Sequence, residues 1–454
     1  MVMITVVLPF ALSLALYAHN PTTPAAQSPV PSPAGTTPGA CLTEVRDYVA
    51  KRRAEVPLVQ VPTQTAGMTA EERATQQAMQ AAAALQRAQL LRQIDVDRLT
   101  MAKACAAKFD PKTAADNTLA DLASLYSEAA MPELAKATID RGLKLTTLSE
   151  PNRAALLLMA VQTGLREPIS PDRNVRLESL IDAIDALPDT VIEQKFSAHY
   201  AMNNYYRYDD IDAGIVEHST WMIDAAKRLT PEQRKKLGVF VLSSAYVNMA
   251  QAWAGQGKND DAIALLRRAP ADLPDVPNVL SRVQPDIERL QLVGTAAAPL
   301  TAPRWLNLAG GQTTLDLKGK VTLLEFSAHW CVPCKESYPG VNRLREKYGS
   351  QGFQVVLATR LWGYFQAERP LDADTEFARD KTYFAEHGLD VPIAVGNGGT
   401  AGARDPNDLA YKVGGIPQIH LIDKQGRIRL VMVGYDDANE PKLSKMIADL
   451  LKEK

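Results

Sequence analysis

Two cysteines with two residues between them offer the clearest chemistry in this sequence. Cys331 and Cys334 follow an apolar run, 321–326, that has the length of a buried strand, and the residues after Cys334 have helical character. At the start of a helix, free backbone amides and the helix dipole favour a thiolate, so the pKa of the first cysteine is lowered. We therefore expect Cys331 to attack disulfides and Cys334 to resolve the mixed disulfide formed there.

Other uses of this cysteine pair do not fit the sequence. Covalent haem attachment needs a histidine directly after the second cysteine, where Lys335 stands. A structural zinc site needs four ligands, and the chain has neither a second Cys-x-x-Cys nor a close histidine pair. The glycine-rich stretch 396–402 lacks the Gly-Lys-Ser/Thr of a phosphate-binding loop. We expect no metal and no cofactor besides the redox-active cysteine pair.

Three short motifs contain or follow the cysteine pair. They are Trp330-Cys-Val-Pro-Cys-Lys335, Pro339 in the following helix, and Gly415-Ile-Pro417 ahead of an apolar strand. Together they resemble the thioredoxin superfamily. The resemblance implies an α/β thioredoxin fold with a mixed central sheet over residues 291–454.

A narrower resemblance comes from the residues that flank these motifs. Ala298-Pro299, the run Leu317-Lys-Gly-Lys320 and the long segment 359–392 are similar to the TlpA/ResA-like branch of the superfamily. This likeness implies an extracytoplasmic thiol-disulfide oxidoreductase, commonly a reductase that acts on protein disulfides and receives electrons from a membrane electron donor. It implies nothing about residues 41–290.

The resemblance also assigns substrate-binding residues. Pro417 matches the cis-proline that faces the active site, and Ile416 before it then offers its backbone to a substrate strand. Trp330 is expected to shape the surface around the thiolate. Without the family resemblance, Pro417 reads as an ordinary loop proline, since cis X-Pro bonds are uncommon in folded proteins.

Glu325 is the acid that we expect to assist the cysteines. It interrupts the apolar run six residues before Cys331, where burial would raise its pKa toward the range useful for proton transfer from Cys334. Relatives in the branch often place a glutamate three residues after the second cysteine, but Ser337 occupies that position here. Glu336 is one residue earlier, which turns it by about 100° on a helix. We favour Glu325 over Glu336; the alternative is an acid with no catalytic part.

Aromatic and basic residues near the pair have two interpretations. His329 is either a solvated histidine, which we favour, or a cation that raises the reduction potential of Cys331. Four residues that follow a predicted strand either line a substrate groove or pack within the long segment 359–392: Arg360, Trp362, Tyr364 and Phe365.

The elements that position these residues can be read from hydrophobic periodicity. Strands are predicted at 321–326, 353–358, 392–395, 419–422 and 428–433. Helices are predicted after Cys334, around 376–387 and from Pro441 onward, and the last two strands form a terminal hairpin. The fold class is therefore multidomain, with an all-α part before an α/β part.

Residues 41–290 read as helices. Helix starts are predicted at Asp110-Pro111 and at Thr230-Pro-Glu-Gln233, where a side-chain oxygen caps free amides. Segments beginning at Leu119 and Tyr246 fit a helix-turn-helix repeat and resemble tetratricopeptide (TPR) repeats. A generic helical bundle is the alternative. Either fold predicts a binding role and a protein partner for this domain.

Prolines mark the end of the helical part. Pro270, Pro274, Pro277 and Pro285 are predicted to break the helical pattern. Glycine turns and apolar strand-like runs begin after Gly294. We place a domain boundary near residue 290.

The N-terminus predicts export. Residues 1–18 are apolar and uncharged, which fits a signal peptide or membrane anchor, although no basic residue precedes the run. A wrongly chosen start codon or a buried helix is the alternative. Residues 19–40 are proline-rich and uncharged, so they form a linker. We expect the protein to be periplasmic or otherwise extracytoplasmic, secreted or anchored by its N-terminus.

Two further cysteines lie in the helical region. In an oxidising compartment Cys41 and Cys105 would form a structural disulfide, and two buried free thiols are the alternative. The sequence does not decide between them.

The composition limits the possible partners, and the motifs rank the possible functions. Fifty basic and 52 acidic side chains give a net charge of −2, so nothing points to nucleic acid. The leading hypothesis is an extracytoplasmic reductase of protein disulfides. The alternatives are a TPR-type interaction scaffold with a sensory or incidental redox module, and a disulfide oxidase or isomerase, which would use the same residues at a higher reduction potential.

Overall fold

A computed structural model describes most of the chain. It covers residues 30–58, 70–168, 170–208, 212–308, 311–366, 368–397, 405–435 and 437–453. The predicted leader, 1–18, and linker residues 19–29 lie outside these ranges, as do residues 398–402 of the glycine-rich stretch. In the ranges covered, no helix combines the length and the apolar character needed to cross a membrane.

Helices make up the regular structure of the first part of the chain, as predicted. They are α1 Pro38–Ala54, α2 Ala70–Ala106, α3 Leu119–Glu128, α4 Pro132–Leu143, α5 Glu150–Gly164, α6 Pro171–Asp185, α7 Ile192–Tyr208, α8 Asp212–Arg228, α9 Pro231–Gly255, α10 Asn259–Asp272 and α11 Val279–Leu290. Residues 30–58 and 85–138 form one compact unit, and residues from 139 onward belong to a second.

A disulfide links α1 and α2 inside the first unit. Cys41 and Cys105 are bonded, with their Cα atoms 5.9 Å apart, which is the usual separation for a disulfide. Both are fully buried beside Leu42 and Tyr126. The sequence left this pairing open, and the structure resolves it in favour of the disulfide.

The two predicted helix starts have different outcomes. Thr230 and Gln233 form a capping box: the Gln233 amide donates to Thr230 Oγ1 at 3.3 Å and the Thr230 amide donates to Gln233 Oε1 at 2.8 Å. The start predicted at Asp110-Pro111 is wrong. There Asp110 Oδ1 accepts the amide of Lys112 in a turn, because a short acidic side chain stabilises turns as well as helix caps.

Two of the four prolines lie inside helices, so the prediction that they break the pattern is wrong for them. Pro270 is in the last turn of α10 and Pro285 is in the middle of α11. Burial of the apolar face of α11, which includes Val283 and Ile287, offsets the backbone hydrogen bond that Pro285 cannot make.

The TPR-like assignment and the domain boundary stay predictions. The two segments fold as the helix pairs α3 and α4, and α9 and α10, and their key residues Leu122, Tyr126, Tyr246 and Leu266 are buried. Burial of this kind fits repeats and bundles equally well. Helix α11 ends at Leu290 and the first strand begins at Leu300.

The rest of the chain forms a thioredoxin-like α/β domain. Its strands are β1 Leu300–Thr301, β2 Arg304–Leu306, β3 Thr314–Leu315, β4 Val321–Phe326, β5 Phe353–Arg360, β6 Ile393–Gly396, β7 Gln418–Ile422 and β8 Ile428–Val433. Its helices are α12 Val332–Tyr348, α13 Ala373–Glu386, α14 Pro406–Ala410 and α15 Glu440–Lys452. All five predicted strands are confirmed; β1, β2, β3 and α14 were not predicted.

The main sheet is mixed and has the order β2-β6-β5-β4-β7-β8. Strands β4, β5 and β6 run parallel, and the β7–β8 hairpin is antiparallel, as predicted. Every residue of β4 is buried. Since side chains alternate along a strand, Leu323 packs with the cluster that contains α12 and α15, while Leu324 packs with β1 and β3 on the other face.

Candidate active site

The cysteine pair lies where β4 leads into α12. Cys331 is the N-cap residue of the helix, and Pro333 in the first turn suits a position whose amide has no helical partner. The Cys334 amide donates to Cys331 Sγ at 3.2 Å. The two cysteines are joined in a disulfide, with Cys331 3% exposed and Cys334 fully buried. The helix start is therefore arranged to stabilise negative charge on Cys331.

Glu325 lies on the face of β4 that packs against α12. Its side chain is fully buried, and burial raises its pKa to about 8. Ser337 Oγ donates to Glu325 Oε1 at 3.0 Å, and Oε2 has no hydrogen-bond partner among the described residues. Glu336, by contrast, is exposed to solvent, which agrees with the preference for Glu325 over Glu336. The predicted burial of Glu325 is confirmed; its catalytic role stays a prediction.

Sequence reasoning missed Ser337 as a site residue. Its hydroxyl lies 3.0 Å from Glu325 Oε1 and 2.7 Å from the Cys334 carbonyl oxygen, so it connects the buried acid to the helix turn that carries the second cysteine. The available signal was its position three residues after Cys334, one helical turn along, where relatives often have a glutamate.

The peptide bond between Ile416 and Pro417 is cis, as the resemblance implies. Gln418, the next residue, pairs in register with Phe326 at the end of β4, which places the proline at the sheet edge from which the cysteine loop departs. The Pro417 carbonyl accepts the Gly434 amide at 2.8 Å. Pro417 is buried and Ile416 is half-buried.

His329 is buried, so the prediction of a solvated side chain is wrong. Tyr364 and Phe365 cover its ring, with centroids 5.3 Å and 4.9 Å away. Burial lowers its pKa to about 4, and Glu376 Oε1 is 3.9 Å from Nε2. The ring is therefore neutral near pH 7, which removes the alternative in which a cationic His329 raises the reduction potential.

The other predicted residues of the long segment 359–392 divide into two groups. Trp362 packs edge-on against Trp330 at 5.0 Å, and the Arg360 guanidinium lies 4.2 Å above the Trp362 ring. Glu376 accepts the backbone amides of Trp362 and Gly363 at 2.6 Å and 2.7 Å. Trp330 is 42% exposed. Arg360 and Trp362 thus pack beside Trp330, whereas Tyr364 and Phe365 pack over His329.

The arrangement suits two-electron exchange between thiols and disulfides. It combines a cysteine pair at a helix start, a buried acid hydrogen-bonded to the serine one helical turn after the second cysteine, and a cis-proline loop at the same sheet edge. Within the described ranges, no cluster of three or more His, Cys, Asp or Glu side chains could hold a metal ion.

This sheet and this site define a protein of the thioredoxin superfamily, and comparisons with known proteins make the class narrower. A family described as Redoxin matches residues 296–448. Thiol-disulfide oxidoreductase ResA of Bacillus thuringiensis (strain Al Hakam) is 32% identical over 123 residues, which are 26% of this chain and 58% of that protein. ResA of Geobacillus thermodenitrificans is 32% identical over 138 residues, 30% of this chain and 68% of that protein. The chain belongs to the ResA family of thiol-disulfide oxidoreductases.

The Redoxin match lies within the C-terminal domain. The chain spans little more than half the length of the first curated relatives that it matches. Among solved structures, a thiol-disulfide isomerase from Corynebacterium glutamicum is 27% identical over 35% of this chain and 98% of that chain, with a TM-score of 0.29.

Proposed function

We propose that this protein is an extracytoplasmic thiol-disulfide oxidoreductase that reduces protein disulfides, with the Cys331–Cys334 pair itself carrying the electrons and no further cofactor. The observation that carries the proposal is the hydrogen bond from the Cys334 amide to Cys331 Sγ at the start of a 17-residue helix. This geometry stabilises the thiolate that must leave and attack during exchange.

The reaction follows from the order of the two cysteines. The Cys331 thiolate attacks one sulfur of a substrate disulfide and displaces the other as a thiolate, which leaves a mixed disulfide. The Cys334 thiolate then attacks Cys331 Sγ, closes the internal disulfide and releases the second substrate thiolate. Two electrons pass to the substrate, and the two protons lost by the cysteines end on the substrate thiols. A donor dithiol, which we propose belongs to a membrane protein, restores the reduced pair.

Glu325 is proposed to accept the proton of Cys334. A pKa of about 8 lies close to the ordinary pKa of a cysteine thiol, about 8.5, so proton transfer between them is nearly balanced. Ser337 supports this role because its hydroxyl holds one carboxyl oxygen and leaves the other without a partner among the described residues.

Substrate docking is proposed for the residues around the cis-proline. Ile416 is half-buried beside Pro417, so its backbone would pair with an extended substrate strand. Trp330 offers an exposed aromatic face, and Val332, the residue after Cys331, is 66% exposed. Exposed apolar side chains around a reactive thiol favour unfolded polypeptide as the substrate.

The second disulfide supports a location outside the cytoplasm. Cys41 and Cys105 are buried and bonded far from the redox pair in sequence, and structural disulfides persist mainly in oxidising compartments. The uncharged apolar leader predicted at 1–18 agrees with export. Thiol labelling of the unfolded protein, taken directly from cells, should find these two cysteines protected until a reductant is added.

The deciding experiment measures the reduction potential of the Cys331–Cys334 couple in defined thiol buffers, with Cys41 and Cys105 changed to Ser. A value near or below about −270 mV supports a reductase, and one near about −120 mV supports an oxidase instead. The Cys334→Ser variant should trap protein substrates on Cys331 as mixed disulfides, whereas a Cys331→Ser variant should trap none. Failure to form the bond reversibly would contradict the whole proposal.

A further inference from the structure

The last helix before the thioredoxin-like domain contacts the loop that carries the cis-proline. Arg289 lies in the final turn of α11, and its side chain is only 12% exposed. A Cβ atom added to Gly414 would lie 2.6 Å from Arg289 Nη1. Gly414 is three residues before Pro417. The guanidinium therefore lies next to the Cα atom of Gly414, in the proposed docking loop.

Position 414 admits no side chain without a shift of its surroundings. Its backbone does not have the positive φ that requires glycine, so the loop conformation itself admits a side chain. The first atom that a side chain would meet is Arg289 Nη1. A side chain at position 414 would therefore displace either the guanidinium or the loop.

The guanidinium is held in place from its own helix. Arg289 Nη2 donates to Asp286 Oδ1 at 2.6 Å, and the Asp286 side chain is 7% exposed. A charge-assisted bond between two largely buried groups has little freedom to rearrange. Arg289 consequently presents a fixed surface to Gly414.

The chain after α11 fixes the helix against the sheet. The Gly294 amide donates to the Ile428 carbonyl at 2.7 Å, the Ile428 amide donates to the Thr295 carbonyl at 2.9 Å, and the Ala297 amide donates to the Gly426 carbonyl at 2.7 Å. These backbone bonds begin four residues after α11 ends. Arg289 is therefore anchored to the same sheet whose strand β7 follows the cis-proline.

The other side of the loop is held from within the domain. Gln418 Oε1 accepts the Gly414 amide at 3.2 Å, and Gln418 Nε2 donates to the Tyr411 carbonyl at 2.9 Å and to His420 Nε2 at 2.9 Å. His420 must be neutral to accept that bond; burial first, and then the charge of Arg289, lower its pKa to about 3. Gly414 thus lies between Gln418 on one side and Arg289 on the other.

We propose that Arg289 is a positioning residue through which the helical part of the chain holds the Gly414–Pro417 loop in the shape that docks the polypeptide around a substrate disulfide. This inference rests on the proposed function and deepens it, because it makes the helical part a determinant of specificity for protein disulfides over small ones. A small disulfide reaches Cys331 without pairing along the loop, so it does not depend on Arg289.

The test compares two substrates in the full chain. The probes are insulin, as a protein disulfide, with an excess of an external dithiol, and 5,5′-dithiobis(2-nitrobenzoate), as a small one, added to the reduced chain after the dithiol is removed, because a free dithiol reduces this small disulfide directly. Arg289→Ala should raise KM for insulin about tenfold, less than the roughly hundredfold that a 1 Å misplacement can cause. It should leave kcat for insulin, the rate with the small disulfide and the equilibrium constant of the Cys331–Cys334 couple in thiol buffers within about twofold of the wild type.

Two variants make the result specific. Arg282→Ala removes a guanidinium from the same helix, where it stacks on Phe240 instead of contacting the loop, and should not change KM. Gly414→Ala should raise KM in the wild-type chain but add nothing in the Arg289→Ala background, because the contact that excludes the methyl group is then gone. Such coupling is the signature of a direct contact.

Several results would overturn the inference. They are an unchanged KM for insulin in Arg289→Ala, an equal loss with both substrates, or independent effects of the Arg289 and Gly414 substitutions. If Arg289→Ala does not fold, Gly414→Ala and Arg289→Lys carry the test, and Lys should retain part of the affinity. A wild-type chain that reduces neither probe refutes the proposed function, whereas an active wild type with an unaffected Arg289→Ala refutes this inference alone.

Discussion

Glu325 should make the stability of this protein depend on pH in a way that one substitution removes. Burial raises its pKa from 4.5 to about 8, so the folded chain holds a proton that the unfolded chain releases. A pKa raised on folding means that stability is greatest below pH 4.5 and is lost as pH rises through 8. Glu325→Gln has no proton to hold and should lack this loss.

The magnitude follows from the shift. Each pKa unit corresponds to about 1.4 kcal/mol, and linkage between pH 5 and pH 8 then amounts to about 3 kcal/mol for an acid that shifts from 4.5 to about 8. Glutamine brings its own penalty, because its amide group has no partner where Oε2 lies. That penalty does not vary with pH, so only the pH dependence is diagnostic.

The assay is denaturant unfolding of the oxidised wild type and Glu325→Gln in parallel at pH 5 and pH 8. The loss of unfolding free energy between the two pH values should be about 3 kcal/mol larger in the wild type. All other titrating groups cancel in this double difference. A double difference below about 1 kcal/mol would refute the reasoning, since the carboxyl would then have a nearly ordinary pKa.

Three other expectations concern separate features. Cys41→Ser with Cys105→Ser should lower the unfolding free energy of the first compact unit by roughly 4 kcal/mol, as the loss of a 64-residue cross-link predicts in denaturant unfolding. Thr230→Ala should lower stability by about 1 kcal/mol, because the Gln233 amide loses its acceptor; thermal melts check this. His329→Gln should leave the reduction potential at pH 7 unchanged, because burial already keeps the ring neutral; a clear fall in thiol-buffer titrations would show a cation instead.

The redox site could be predicted because its signals are local. The strand before Cys331, the helix start at the cysteines and the alternation that buries Glu325 all lie within one short stretch of sequence. Periodicity and helix electrostatics decide such features without knowledge of distant residues. The cis bond at Pro417 is different: it came from the resemblance, and no local pattern requires it.

Apart from the local turn at Asp110, the misses arose where distant segments meet. His329 looked solvated because its sequence neighbours do not cover it; residues 364 and 365, more than thirty positions later, do. The contact between Arg289 and Gly414 joins parts of the chain that are even further apart. Pro285 was expected to end a helix, yet the tertiary burial of α11 outweighs its intrinsic preference. In each case packing, which periodicity does not encode, decided the outcome.

The domain holds a second buried acid that would confuse a pH profile of the reaction. Burial, followed by the charge of Glu376, raises the pKa of Asp380 to about 8, the same value as for Glu325, and neither Asp380 oxygen has a partner among the described residues. A wild-type rate that changes near pH 8 therefore does not identify the acid.

Comparing Glu325→Gln with Asp380→Asn identifies the acid. Of the two acids, only Glu325 is hydrogen-bonded to the Ser337 hydroxyl, which also bonds to the carbonyl of Cys334. Asp380→Asn should keep the change in the rate of mixed-disulfide resolution near pH 8, and Glu325→Gln should slow resolution and remove that change. Stopped-flow release of the substrate thiol from a preformed mixed disulfide on Cys331 measures this step directly. If Asp380→Asn removes the change and Glu325→Gln keeps it, the proton leaves Cys334 by way of helix α13, and the assignment of Glu325 as its acceptor is wrong.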